Sequence, residues 1–266
     1  MKAEEKDSDR KAEVHIHISG QVKAIKEYDE YLDPDDGAIC CYVPVNAEDE
    51  IRIKGRCSGT TLIRAYDVAI DGVLRWARYC QGKTVTCQPF KIDCDKFLYY
   101  NYKDSEVFET EAVIKEAPDL NTTHKGQREV VGTVEVRLFM LRKFGDEWSI
   151  GDSPTFDDEA DPPIPTFTTV PQDVRVTFKQ DSPALDQNKE NHIKKIMYRN
   201  RPGKKPWAIF RFHLRSEEAI EKYKLEVTFD PNDKKIAETH LLSFDKVVPF
   251  QLGAKPPGKA DSATPA

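Results

Sequence analysis

Trp207-Ala-Ile-Phe-Arg-Phe-His-Leu-Arg215, followed at once by Ser216-Glu-Glu-Ala-Ile-Glu-Lys-Tyr223, decides the fold class. In the first half Ala208, Phe210, Phe212 and Leu214 alternate with Arg211, His213 and Arg215. A period of two belongs to extended chain, whose successive side chains leave opposite faces. The stretch therefore predicts a strand with its apolar residues inward and Arg211, His213 and Arg215 outward. In the second half the pattern turns helical. Ser216 suits an N-cap, Glu217 and Glu218 complement the positive helix end, and Ala219, Ile220 and Tyr223 form the predicted buried stripe.

The same alternation recurs along the chain and outnumbers helical patterns. Val14, Ile16 and Ile18 share one face, with His15 and His17 on the opposite, solvent-facing side. Ile39, Cys41, Val43 and Val45 make a second apolar face, and Ile51, Ile53 and Cys57 a third. Further predicted strands are 62–70, 73–79, 84–90, 97–102, 107–114, 130–142 and 174–178. Asp71-Gly72, set between Ile70 and Val73, predicts a two-residue hairpin turn, and Gly145-Asp146 a second. Many short strands with tight turns imply a mainly β protein, an antiparallel β-sandwich of jelly-roll type with one or two short helices, or alternatively a β-barrel. The second helix would lie within 182–196.

With 266 residues the chain can bury a core without metal or disulfide staples. Forty basic against forty-six acidic residues leave a formal charge of −6, which argues against a nucleic-acid footprint over the whole surface. The reading gives residues 1–11 as a charged flexible lead-in and 12–250 as one β-rich domain. Residues 151–172 are a loop rich in proline and acid within that domain, and 251–266 follow it as a disordered tail. The charged start offers no secretory signal and no run approaches a membrane span, so the expected compartment is cytoplasmic or nuclear. In a reducing compartment Cys40, Cys41, Cys57, Cys80, Cys87 and Cys94 are expected as free thiols.

Gly132-Thr-Val-Glu-Val-Arg-Leu-Phe, Pro206-Trp-Ala-Ile-Phe-Arg-Phe-His-Leu-Arg-Ser-Glu-Glu-Ala-Ile, and the early strands between Cys40 and Ile53 together resemble a fungal family defined by a shared domain of unknown function. His213 and Leu214 stand where that family shows an aromatic residue before an Arg-Ser pair, a small departure. The resemblance spans roughly Ala12 to Leu225 and implies a fungal origin and a β-rich domain. It implies no activity, cofactor or catalytic residue.

Cys80, Cys87 and Cys94 recur every seven residues without a Cys-x₂-Cys knuckle, and an odd offset turns successive side chains to opposite faces. Buried thiols are the plainer reading. His15 and His17 lack a third metal ligand, and Asp33-Pro-Asp-Asp-Gly37 lacks the glutamate that would complete a calcium loop, so it reads as a turn. No nucleophile elbow, zinc-protease motif, phosphate-cradling loop or dinucleotide fingerprint occurs. No cofactor, metal or catalytic residue is assigned. The most suggestive cluster is Lys194, Lys195, Arg199, Arg201, Lys204 and Lys205, six cations within twelve residues and near Tyr198 and Trp207.

The sequence thus reads as a non-enzymatic, intracellular protein-binding β-sandwich, using a sheet face or edge, with the 151–172 loop contributing. One alternative is a nuclear protein that contacts nucleic acid or chromatin through 194–205. The other is a small-molecule or enzymatic pocket that the sequence does not locate.

Overall fold

The structure, a computed structural model, describes residues 1–6, 8–59, 63–80, 89–101, 106–117, 131–141, 170–191 and 206–233. It is mainly β, as the alternation predicts. The strands are β1 (Lys2–Glu4), β2 (Lys11–Ile18), β3 (Glu27–Leu32), β4 (Ile39–Val45), β5 (Glu50–Ser58), β6 (Ile63–Ile70), β7 (Val73–Cys80), β8 (Phe90–Cys94), β9 (Phe97–Asn101), β10 (Glu106–Thr110), β11 (Ala112–Glu116), β12 (Thr133–Leu141), β13 (Val174–Phe178), β14 (Ala208–Ser216) and β15 (Val227–Phe229).

The first sheet runs β1-β2-β5-β11-β13, with β8 also paired to β5. The second runs β15-β3-β4-β14-β12-β6-β7, and β9 and β10 form a separate ribbon. Val14, Ile16, Ile53 and Ile114 of the first sheet share one buried apolar cluster with Val43, Val68, Val136, Phe210 and Phe212 of the second. This is the packing of a sandwich. Among the described residues neither sheet closes on itself, so the barrel alternative falls.

Two features depart from a purely antiparallel, evenly stranded plan. β14 lies parallel to β4, with Phe210 opposite Ile39 and Leu214 opposite Val43. These strands are remote in sequence, so no hairpin forces them to run in opposite directions. The continuous strand predicted over 107–114 is two strands separated at Glu111. β10 stays with β9, while β11 crosses into the first sheet between β5 and β13.

The predicted turn at Asp71-Gly72 forms, with φ of 52° and 79° at the two positions. Both angles lie in the left-handed region that a type I′ hairpin requires. Ser216 caps the helix Glu217–Tyr223 by accepting from the Ala219 amide. Ala219 and Ile220 are buried as expected, but Tyr223, the last residue of the helix, is 43% exposed. A helical turn begins at 187 within the expected 182–196 segment, and its continuation lies outside the described residues. The Gly145-Asp146 turn and most of the 151–172 loop also lie outside them, although Val170 and Gln172 are buried. Among the described residues no helix is long and apolar enough to cross a membrane.

The lead-in expected over 1–11 is built into the first sheet. β1 pairs with β2, Ala3 opposite Ala12, and Met1 and Ala3 are each 1% exposed. Their alternation with Lys2 and Glu4 is a strand pattern that the surrounding charges obscure.

Arg211, His213 and Arg215 occupy the face opposite the sandwich core, as their parity requires, yet all three are buried. A third layer covers them. Val170, Ala219 and Ile220 pack with Tyr42 on that side, with Tyr28, Tyr31 and Leu225 against them. Alternation reports which face a residue takes, and only tertiary packing decides whether that face meets water.

Candidate interaction face

Where the second sheet hides its outer polar face, part of the first sheet leaves its own in solvent. β5 points Ile51, Ile53 and Cys57 inward, and therefore Arg52, Lys54 and Arg56 outward. β8 alternates likewise, with Phe90, Ile92 and Cys94 buried and Lys91 and Asp93 exposed. β11 and β13 add Lys115 and Arg175 to the same outer face. A chain of net charge −6 thus carries a cationic sheet face.

Register sharpens this. Arg56 lies directly opposite Lys91, and Lys115 directly opposite Arg175. Like charges placed directly across strands are destabilising. Neighbouring carboxylates relieve only part of the repulsion. Asp93 is engaged by Arg52 through two bonds, Nε to Oδ1 at 2.7 Å and Nη2 to Oδ2 at 2.8 Å. That pairing holds the Asp93 carboxyl below its ordinary range. Glu13 accepts from Arg56 Nε at 2.9 Å and faces His15 Nε2 at 2.9 Å. Hydrogen bonding to His15 outweighs burial, and with Arg56 it brings the Glu13 carboxyl down to about 2. Glu48 pairs with Lys115 and Glu50 with Lys179, so these four carboxylates are committed. Lys54 and Lys91 make no ion pair among the described residues. Arg56 is 68% exposed along its side chain, so its tie to Glu13 is a weak surface pair.

One margin of this face is closed, which corrects the solvent-facing reading of the two histidines. His15 and His17 are only 7% and 8% exposed. Phe229 of β15 stacks on the His15 ring at 4.2 Å, and His15 Nδ1 lies 2.8 Å from Glu27 Oε1. Glu27 also pairs with the Met1 ammonium, itself donating to Val14 O at 3.0 Å. Burial opposes ionisation of Glu27, yet the ammonium and His15 together hold its carboxyl below the ordinary value. Glu30 beside it has less compensation: burial, with the Glu27 charge, pushes it up to about 7. The cleft between Lys2, Glu30, Thr228 and Phe229 measures about 10 Å³, room for roughly one water. It is too small for the ligand pocket of the enzymatic alternative. His17 is bracketed by Lys54 and Arg52 across the strands, and burial followed by the Lys54 charge brings its pKa down to about 4.

The Asp33–Gly37 turn does not open toward an ion. Asp33 Oδ2 lies 2.8 Å and Asp36 Oδ2 2.6 Å from the Arg211 guanidinium, which also meets Glu135 Oε2 at 2.8 Å. His213 faces the Tyr31 hydroxyl at 2.9 Å, and Arg215 donates to Val170 O through Nε and Nη2, both at 3.1 Å. Cys94 lies in the core and donates to Lys96 O at 3.4 Å, while Cys87 lies outside the described residues. Among the described residues no group of three or more His, Cys, Asp or Glu side chains is placed to hold a metal. Lys194, Lys195, Arg199, Arg201, Lys204 and Lys205 all lie outside the described residues.

Sequence reasoning missed the cationic face because its members are scattered from Arg52 to Arg175. The one local signal is Arg52-Ile-Lys54-Gly-Arg56, three cations two residues apart beside inward apolar positions. Compared with known proteins, the chain matches no family model, no curated protein and no solved structure.

Proposed function

We propose that the protein is a non-enzymatic β-sandwich that binds another protein on the outer face of its first sheet, centred on β5 and β8. The observation that carries this reading is the concentration of cations there. On β5 and β8 Arg56 opposes Lys91, an arrangement that costs stability in the free protein and is relieved by an oppositely charged partner, whereas Lys115, opposite Arg175, is already paired with Glu48. The sandwich core supports the strands from behind, so the charges sit on a rigid frame. The free thiols at Cys40, Cys41, Cys57 and Cys94 suit a reducing compartment, cytosol or nucleus.

The test compares the protein with a Lys54→Glu/Lys91→Glu variant in quantitative affinity capture at moderate salt. The expected result is selective loss of bound protein from the variant, with the thermal midpoint little changed. Identical captured sets would remove the reading.

A further inference from the structure

Resting on that docking face, we infer that its partner presents an acidic segment in extended conformation, with carboxylates at alternate residues, laid along β5. Arg52, Lys54 and Arg56 leave the same side of one antiparallel strand, so their origins repeat at about 6.8 Å, twice the rise per residue. An extended peptide with acid at every second residue repeats at the same interval and shares the right-handed twist of the strand beneath it. A helical partner does not keep this register. Acids four residues apart climb about 6 Å per step but rotate by about 40°, so the third stands some 80° off the row. Lys91, set beside Arg56 on β8, widens the row at one end.

The partner's charge follows from which cations are free. Arg52 is held by Asp93 and Arg56 by Glu13, whereas Lys54, across from Asp93, and Lys91, two register positions along on β8, make no ion pair among the described residues. These two are the anchors, and the exposed Arg56 exchanges its weak pair with Glu13 for a carboxylate of the partner, while Arg52 keeps its two-bond pair with Asp93. Nucleic acid has the same sign of charge but fits this face less well. Glu13 and Asp93 are interleaved with the cations and would repel phosphates. The outward positions of β5 and β8 also carry no aromatic side chain on which a base could stack.

The test uses the full chain and three fluorescent probes: an alternating Glu-Ser dodecapeptide, a peptide of the same composition with its six glutamates in one block, and a single-stranded oligonucleotide. Anisotropy is read at low and moderate salt. The expected result is at least five-fold tighter binding of the alternating peptide than the block peptide. That binding should fall at least ten-fold in Lys54→Glu/Lys91→Glu and be weakened to a lesser degree in Lys54→Gln/Lys91→Gln, while both variants keep the parent's thermal midpoint. Equal or absent binding of the two peptides, with captured protein still lost from the charge-reversed face, would overturn the alternating-acid inference and leave the docking face standing. No peptide binding together with unchanged capture would remove both. An oligonucleotide that binds more tightly than either peptide, and is lost in the same variants, would overturn the inference in favour of nucleic acid.

Discussion

Arg211 is the most demanding residue in the fold. Its guanidinium is 1% exposed and meets Asp33, Asp36 and Glu135, which fix it in the charged state against the cost of burial. Removing one partner of such a group leaves uncompensated buried charge. Arg211→Ala should therefore destabilise the protein by about 3–5 kcal/mol in denaturant unfolding. Glu30 gives a pH-dependent counterpart. Its folded pKa, about 7, lies above the ordinary 4.5. A raised carboxyl binds its proton more tightly in the folded state, so its contribution is complete below about pH 4.5 and is lost as pH rises through 7. Glu30→Gln should accordingly be more stable than the parent by about 1–3 kcal/mol at pH 8, with the advantage shrinking toward pH 5. An advantage independent of pH would show that Glu30 does not titrate in this window. The sequence carried the parity of Arg211, His213 and Arg215 but not their burial. What covers them, Val170, Ala219 and Ile220, is remote in sequence or belongs to a helix whose docking no local pattern encodes.

At the level of elements, β5 is the hinge between sequence and site. Gly55 faces inward from it against β2, and a Cβ there would lie 2.5 Å from Glu13 O and 3.2 Å from the Val14 Cα. The obstacle is backbone, so the strands must separate to admit a side chain. Gly55→Ala should lower stability and weaken protection of the β2 and β5 amides in hydrogen exchange, while Ser58→Ala, on the outer face, should leave both unchanged. The helix offers a smaller effect. Ser216 accepts from the Ala219 amide at 3.0 Å and donates to Asp173, so Ser216→Ala should cost about 1 kcal/mol. Strands and caps of this kind were legible because they depend on neighbours along the chain. The break at Glu111 and the parallel β4–β14 pair were not, since each is settled by strands far away in sequence.

Across the whole molecule, burial makes the described thiols inert. It raises Cys40 to about 12 and Cys57 to about 11, and Cys41 and Cys94 move the same way. Thiolates are the reactive form, so iodoacetamide at pH 8 should leave these four cysteines unmodified in the native protein and label them after unfolding. The charge distribution carries the functional account. β14 buries its outer polar residues under a third layer, while the first sheet exposes Arg56, Lys91 and Arg175 and leaves Lys54 half-buried. Composition shows only the net charge, −6; the concentration of cations appears when β5, β8, β11 and β13 are brought side by side.

The central claim, that this face docks a protein, is tested most directly by a photo-crosslinking amino acid placed at Lys91 and, as a control, at Lys222 on the helix. Irradiation in lysate should yield a discrete crosslinked protein from position 91, suppressed by Lys54→Glu, and none from position 222. Equal crosslinking from both positions, or products from 91 that Lys54→Glu leaves unchanged, would contradict it.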